Sequence, residues 1–160
     1  MSSSRPDTAA TKRDVDSVDN IGKFLWAYEA TTYDNLLLDG RISNADVRDD
    51  SGYSGLHIIP GIGNGNKYVD TDILISYLLT CDPPADVNGR DSWGITPMWR
   101  AASYNNTSAV KVLIDFGGDR TIKTNSNTGS YPNMTPLDMA IYMINQEIIQ
   151  LLTECFPSEE

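Results

Sequence analysis

The chain has 160 residues, enough for one domain, and its 12 Lys and Arg stand against 22 Asp and Glu, a formal net charge of -10. Such a balance excludes recognition of nucleic acid through its phosphates and docking on anionic membranes, both of which need clustered basic residues. The apolar set is 40 % of the chain, enough for a packed core, while a single histidine excludes chemistry that needs two imidazoles. Seventeen of the acids are Asp and five are Glu, a skew toward the residue that makes turns and helix starts.

Residues 1–17 are small and polar, with three basic and three acidic side chains and no hydrophobic period. They read as a disordered tail, so the whole net charge falls on the folded part of the chain. No apolar segment opens the chain, which speaks against a secretory signal, and the longest apolar runs fall short of the roughly 20 residues of a bilayer span. Residues 19–39, DNIGKFLWAYEATTYDNLLLD, carry two short helical patterns with one apolar side, as a terminal cap would.

The next elements are phrased alike. SGLH at Ser54–His57, TPMW at Thr96–Trp99 and TPLD at Thr135–Asp138 recur, with a glycine two residues ahead of the first two, at Gly52 and Gly94. Thr96 and Thr135 predict helix N-caps, because a proline follows each and loses no hydrogen bond at the first helical position. Pro60, inside the first of these helices, predicts a single turn or a distorted helix. Second helices end on the pairs Leu78-Leu79, Leu113-Ile114 and Leu151-Leu152, with Gly117 as a left-handed stop after the middle one. ADVN at Ala85–Asn88 aligns with GDRT at Gly118–Thr121, and Asp46, Asp49, Asp50, Asp86, Asp91 and Asp119 read as turn aspartates rather than calcium ligands, since no twelve-residue calcium loop fits.

The block Asp91–Lys123 is 33 residues long and resembles the ankyrin repeat throughout; the resemblance extends over about residues 18–156. It implies an all-α repeat solenoid of helix-turn-helix units with projecting hairpins, about three repeats plus the N-terminal capping helix pair, and leaves 157–160 as a C-terminal tail. Ser54 to Thr96 is 42 residues and Thr96 to Thr135 is 39, so the units carry insertions, at 61–72 and at 124–133. The 61–67 stretch is glycine-rich, yet it satisfies neither Gly-x-Gly-x-x-Gly nor a phosphate loop ending in Gly-Lys-Ser/Thr.

The resemblance further implies a non-catalytic protein-binding module, an adaptor, subunit or inhibitor, working without cofactor or metal, alone or as one subunit of a complex. The binding positions carried over are Ser92, Trp93, Ile95, Ser103, Tyr104, Phe116 and Lys123 in the middle unit, Asp50 and Tyr53 in the first, and Met134 and Tyr142 in the last. Trp93 and Ile95 at a hairpin tip have little core to enter and are expected outside, where aromatic anchors mark interaction sites. A partner with apolar anchors and a basic rim would suit such a strip among aspartates. Two rival readings are a chaperone masking a basic nucleic-acid-binding client, suggested by the charge, and a ligand sensor or enzyme built on Gly61–Lys67. His57 falls at a position whose side chain, in that family, ties adjacent hairpins. Cys81 and Cys155 fall two units apart, about 20 Å at helix-stacking distances, too far for the roughly 7 Å a disulfide allows. Reduced thiols and the missing signal suit the cytoplasm or nucleus.

Overall fold

A computed structural model describes residues 45, 46, 48, 51–62, 71–127 and 129–154. The described residues form six helices in three pairs: α1 (Gly55–Ile62) with α2 (Thr71–Thr80), α3 (Pro97–Ser103) with α4 (Thr107–Asp115), and α5 (Pro136–Tyr142) with α6 (Gln146–Thr153). First helices stack in one row, α1 on α3 on α5, and second helices in another, α2 on α4 on α6. Each pair is too short to bury its own apolar face, so the neighbours supply the other wall. The expected tail and capping pair at 1–17 and 19–39, the residues 157–160, Cys155 and most of the 61–72 insertion lie outside the described residues.

Short polar devices start these helices. Thr96 Oγ1 accepts from the Trp99 amide at 3.2 Å, with Pro97 in the first helical position. Thr135 does the same for Asp138, whose carboxylate in turn accepts from the Thr135 amide at 2.8 Å, closing a reciprocal cap. The second helices of the last two pairs start on Asn106 and Asn145, whose Oδ1 atoms accept from Ala109 and Ile148. Asn106 also reaches back with its amide to the Pro60 carbonyl, at 3.1 Å, so one side chain both caps a helix and ties two units. Gly117, at φ 83°, ends α4 as expected, and the Gly118 amide closes on the Leu113 carbonyl.

Packing keeps one register. Ile59, Ala101 and Ala140 hold equivalent places in the first row and are fully buried, as are Leu78 and Leu113 in the second row, where Leu152 rather than Leu151 completes the series. Burying a Leu or Ile contributes about 1.5–3 kcal/mol each, which makes these columns the main stabilising element. Small side chains at Ala101 and Ala102 let α3 sit between α1 and α5 at close range.

Of the two outcomes expected at Pro60, a single turn or a distorted helix, the single turn is not what forms. α1 runs unbroken through it for eight residues, rather than stopping after one turn. The proline costs one donor, the bond that would go to the Leu56 carbonyl. Burial of Leu56, Ile59 and Pro60 itself, and the Asn106 bond to the Pro60 carbonyl, hold the helix through that loss.

Hairpins project from one side and are stitched edge to edge. The Ser92 amide and hydroxyl both donate to the Ser51 carbonyl, and the Asn125 amide donates to the Trp93 carbonyl at 2.9 Å. Arg48 donates to the Arg90 carbonyl, and Arg90 to the carbonyl of Lys123. Asp86 and Asp119 are turn scaffolds: Asp86 Oδ1 accepts from the Asn88 amide and Asp119 Oδ1 from the Thr121 amide, in matching turns, while Asp46 pairs with Arg48 and accepts from the Asp86 amide of the next unit. Asp49 and Asp50 lie outside the described residues.

Candidate functional site

Asp91 organises the central hairpin. Its side chain is buried, and one carboxylate oxygen accepts from both the Trp93 and Ile95 amides at 2.9 Å. Gly94 turns the chain at φ 74°, a conformation a side chain would strain. That turn breaks the simple alternation of the strand-like tip, and the two apolar tip residues part company. Trp93 is 42 % exposed, whereas Ile95 faces the core at 6 %. The expectation of an exposed Ile95 is therefore corrected: its amide is held by Asp91, and its carbonyl accepts from both the Asp91 amide and His57.

His57 ties the first two hairpins, as the resemblance implied. Nε2 lies 2.9 Å from the Ile95 carbonyl, which only accepts, so Nε2 carries the hydrogen. Nδ1 then accepts from the Ser54 amide at 3.2 Å and from the Ser54 hydroxyl at 2.8 Å. Burial pushes the imidazole pKa below its usual range.

Beside this scaffold the aromatic side chains form a ladder. Trp93 packs on Tyr53 with centroids 6.0 Å apart. The Arg100 guanidinium lies 5.0 Å from the Tyr53 ring and 6.0 Å from that of Trp99. Trp99 meets Tyr131 edge-on at 5.6 Å, and Tyr131 meets Tyr142 in the same way at 5.6 Å. One unbroken series, Trp93–Tyr53–Arg100–Trp99–Tyr131–Tyr142, therefore crosses all three units. Arg100 is its joint. Its Nη2 donates to the Tyr53 hydroxyl and lies 3.6 Å from the Asp91 carboxylate. Burial raises the Tyr53 pKa, with the Arg100 charge pulling the other way.

Of the positions carried over from the sequence, Trp93, Tyr53 and Tyr142 belong to this ladder. Tyr104, 40 % exposed, stands over Gly61, where an added Cβ would come within 2.8 Å of its ring. Ser92 and Lys123 are exposed at the hairpins, and Ser103 is half-buried with its hydroxyl on the Arg100 carbonyl. Met134 is half-buried against the core. Phe116 is exposed at the end of α4, in the other helix row. Asp50 lies outside the described residues.

Arg100, Trp99 and Tyr131 are not among the binding positions that the sequence indicates. Tyr131 arrives through the 124–133 insertion. Thr124, buried at its base, receives the Met134 amide and donates to the Tyr131 carbonyl. The signal available was Tyr131 itself, an aromatic in an otherwise polar insertion. Among the described residues no three His, Cys, Asp or Glu side chains gather as a metal site would, and no helix is long and apolar enough to cross a membrane. Cys81 is a free thiol, its pKa raised by burial.

The family model for ankyrin repeats, in three copies, matches residues 66–159. An ankyrin repeat protein of Rickettsia bellii is 32 % identical over 71 residues, which is 44 % of this chain and 39 % of that protein. A fowlpox virus ankyrin repeat protein is 34 % identical over 104 residues, 63 % of this chain and 27 % of its own length. The chain thus spans well under half the length of either relative.

Proposed function

The chain belongs to the ankyrin repeat family, whose repeats generally mediate protein–protein interaction, and from that premise we propose that it is a non-catalytic module binding a partner protein across the aromatic ladder. The observation that carries the reading is the ladder itself: rings locked to one another over three units, with Trp93 and Tyr142 exposed at its two ends. Rigid aromatic side chains lose little freedom on binding and are the typical anchors of interfaces. The module acts as adaptor, subunit or inhibitor, and its partner presents apolar side chains to the rings.

A Trp93→Ala, Tyr142→Ala double variant, which removes the two exposed ends of the ladder, tests the reading. Both side chains are exposed, so circular dichroism should show an intact fold. Affinity capture with quantitative mass spectrometry should show the native partner reduced at least about tenfold, as expected when anchor residues are truncated. Capture of the same partner in the same amount by the folded variant would refute the site.

A further inference from the structure

Arg100, the joint of the ladder, is bonded less than its place demands. Among the described residues its guanidinium makes one hydrogen bond, from Nη2 to the Tyr53 hydroxyl, leaving most of its five N–H donors unused. Nε is buried and has no acceptor, and the indole Nε1 of Trp99, the residue before it on α3, is buried without one as well. A buried donor left unmatched loses the hydrogen bond water gave it, so a stretch of the ladder holding two of them calls for an acceptor. Asp91 does not supply it. Its Oδ1 is taken by two amides, and its Oδ2 lies 3.6 Å from Nη2 and makes no hydrogen bond. The Asp91 side chain is also fully buried, whereas that of Arg100 is 16 % exposed, so a group arriving at the ladder meets the guanidinium first.

The local charge agrees. A net charge of -10 suggests a basic partner, yet the acids are unevenly spread. Residues 92–114 and 120–137, which hold most of the ladder, contain no Asp or Glu and carry Arg100, Lys111, Arg120 and Lys123. Lys111 and Arg120 are engaged along the second helices, with Glu147 and with the carbonyls of Leu151 and Glu154. On the hairpin side, Asp91 is held in its turn, Asp138 caps α5, and Asp46 and Asp86 face Arg48. None of these is a free carboxylate at the middle of the ladder, where it would repel another. A guanidinium stacked on aromatic faces, 5.0 Å from the Tyr53 ring and 6.0 Å from that of Trp99, keeps its edge for a planar anion. We propose, building on the reading that the ladder is the binding face, that the partner enters it with an Asp or Glu side chain, held by Arg100 between Tyr53 and Trp99 and flanked by apolar residues on the rings.

Random peptides displayed on phage are selected on the full chain. The strongest is synthesised with an amidated C-terminus, and again with its acidic residue changed to the amide. Selected peptides should share one Asp or Glu among apolar residues, and the amide version should bind at least about tenfold more weakly. On Arg100→Gln the two versions should bind alike. Arg100→Lys leaves Asp91 its cation but loses the planar fork, and it should narrow the difference while circular dichroism shows the fold intact. A residue that only supports the fold would weaken both versions equally and leave their ratio unchanged. The Trp93→Ala, Tyr142→Ala variant should do just that, weakening both alike. Peptides that share no acid, an amide version that binds as well as the acid, or a ratio undiminished in both Arg100 variants would overturn the proposal. If such peptides still lose binding in the Trp93→Ala, Tyr142→Ala variant, the ladder reading stands without it. Peptides indifferent to every variant, or a selection that yields none, would overturn both.

Discussion

Lowering the pH from 7 to 5.5 should destabilise the protein through one proton on His57. The ring is 1 % exposed and neutral, with Nε2–H on the Ile95 carbonyl and Nδ1 accepting from Ser54. A second proton at Nδ1 would meet the Ser54 N–H head-on, and the bare acceptor that this amide needs would be gone. Burial lowers the folded pKa; Arg48 and Arg100 act in the same direction, against Asp91 and the Ile95 bond. The unfolded chain therefore takes up the proton first, at the ordinary imidazole value of about 6.5. Stability is complete above that pH and declines as pH falls through it, by at most about 1.4 kcal/mol per pH unit for one proton, until the folded ring titrates too. From pH 7 to 5.5 the ceiling is about 1.3 kcal/mol, roughly half a molar in a urea midpoint. The window is clean because His57 is the single histidine of the chain and ordinary carboxylates titrate lower. Urea unfolding followed by tryptophan fluorescence measures the shift. A midpoint that is flat across this range, or an equal slope in a folded His57→Asn variant, would refute the reasoning.

Two further perturbations probe the scaffold. Leu113→Ala opens a cavity at a fully buried site between the rows and should cost about 2–5 kcal/mol, read from chemical denaturation. Gly94→Ala forces a left-handed backbone on a side chain whose Cβ would lie 2.5 Å from the Asn125 Oδ1 and 2.6 Å from an Arg90 nitrogen. It should cost about 1–3 kcal/mol and alter the Trp93 environment, seen as a change in near-ultraviolet dichroism.

Repeat identity, helix starts and turn aspartates were legible in the sequence because each rests on local chemistry. Thr96-Pro97, Thr135-Pro136, Gly117 and Asp86 behave as their neighbours in the chain dictate. What failed was decided at longer range. Pro60 is carried within α1 by burial and by Asn106, 46 residues away. Ile95 turns inward because His57, from the preceding unit, and Asp91 hold its backbone. The ladder was half legible: Trp93, Tyr53 and Tyr142 stood out as aromatics at expected binding positions. Arg100 and Tyr131 join them through contacts between units that no local pattern records.

The arginine links between hairpins bear on how such a chain grows. Arg48 donates to the carbonyl of Arg90, its own counterpart in the next unit, and Arg90 repeats the gesture toward Lys123. Donor and acceptor of each link are thus the same position, one unit apart. A tandem duplication of the middle unit would find Arg90 facing the carbonyl of its own copy, with the link complete at once. Such a copy would keep this one link but not the histidine tie of the first joint, because Trp99 stands in the middle unit where His57 stands in the first.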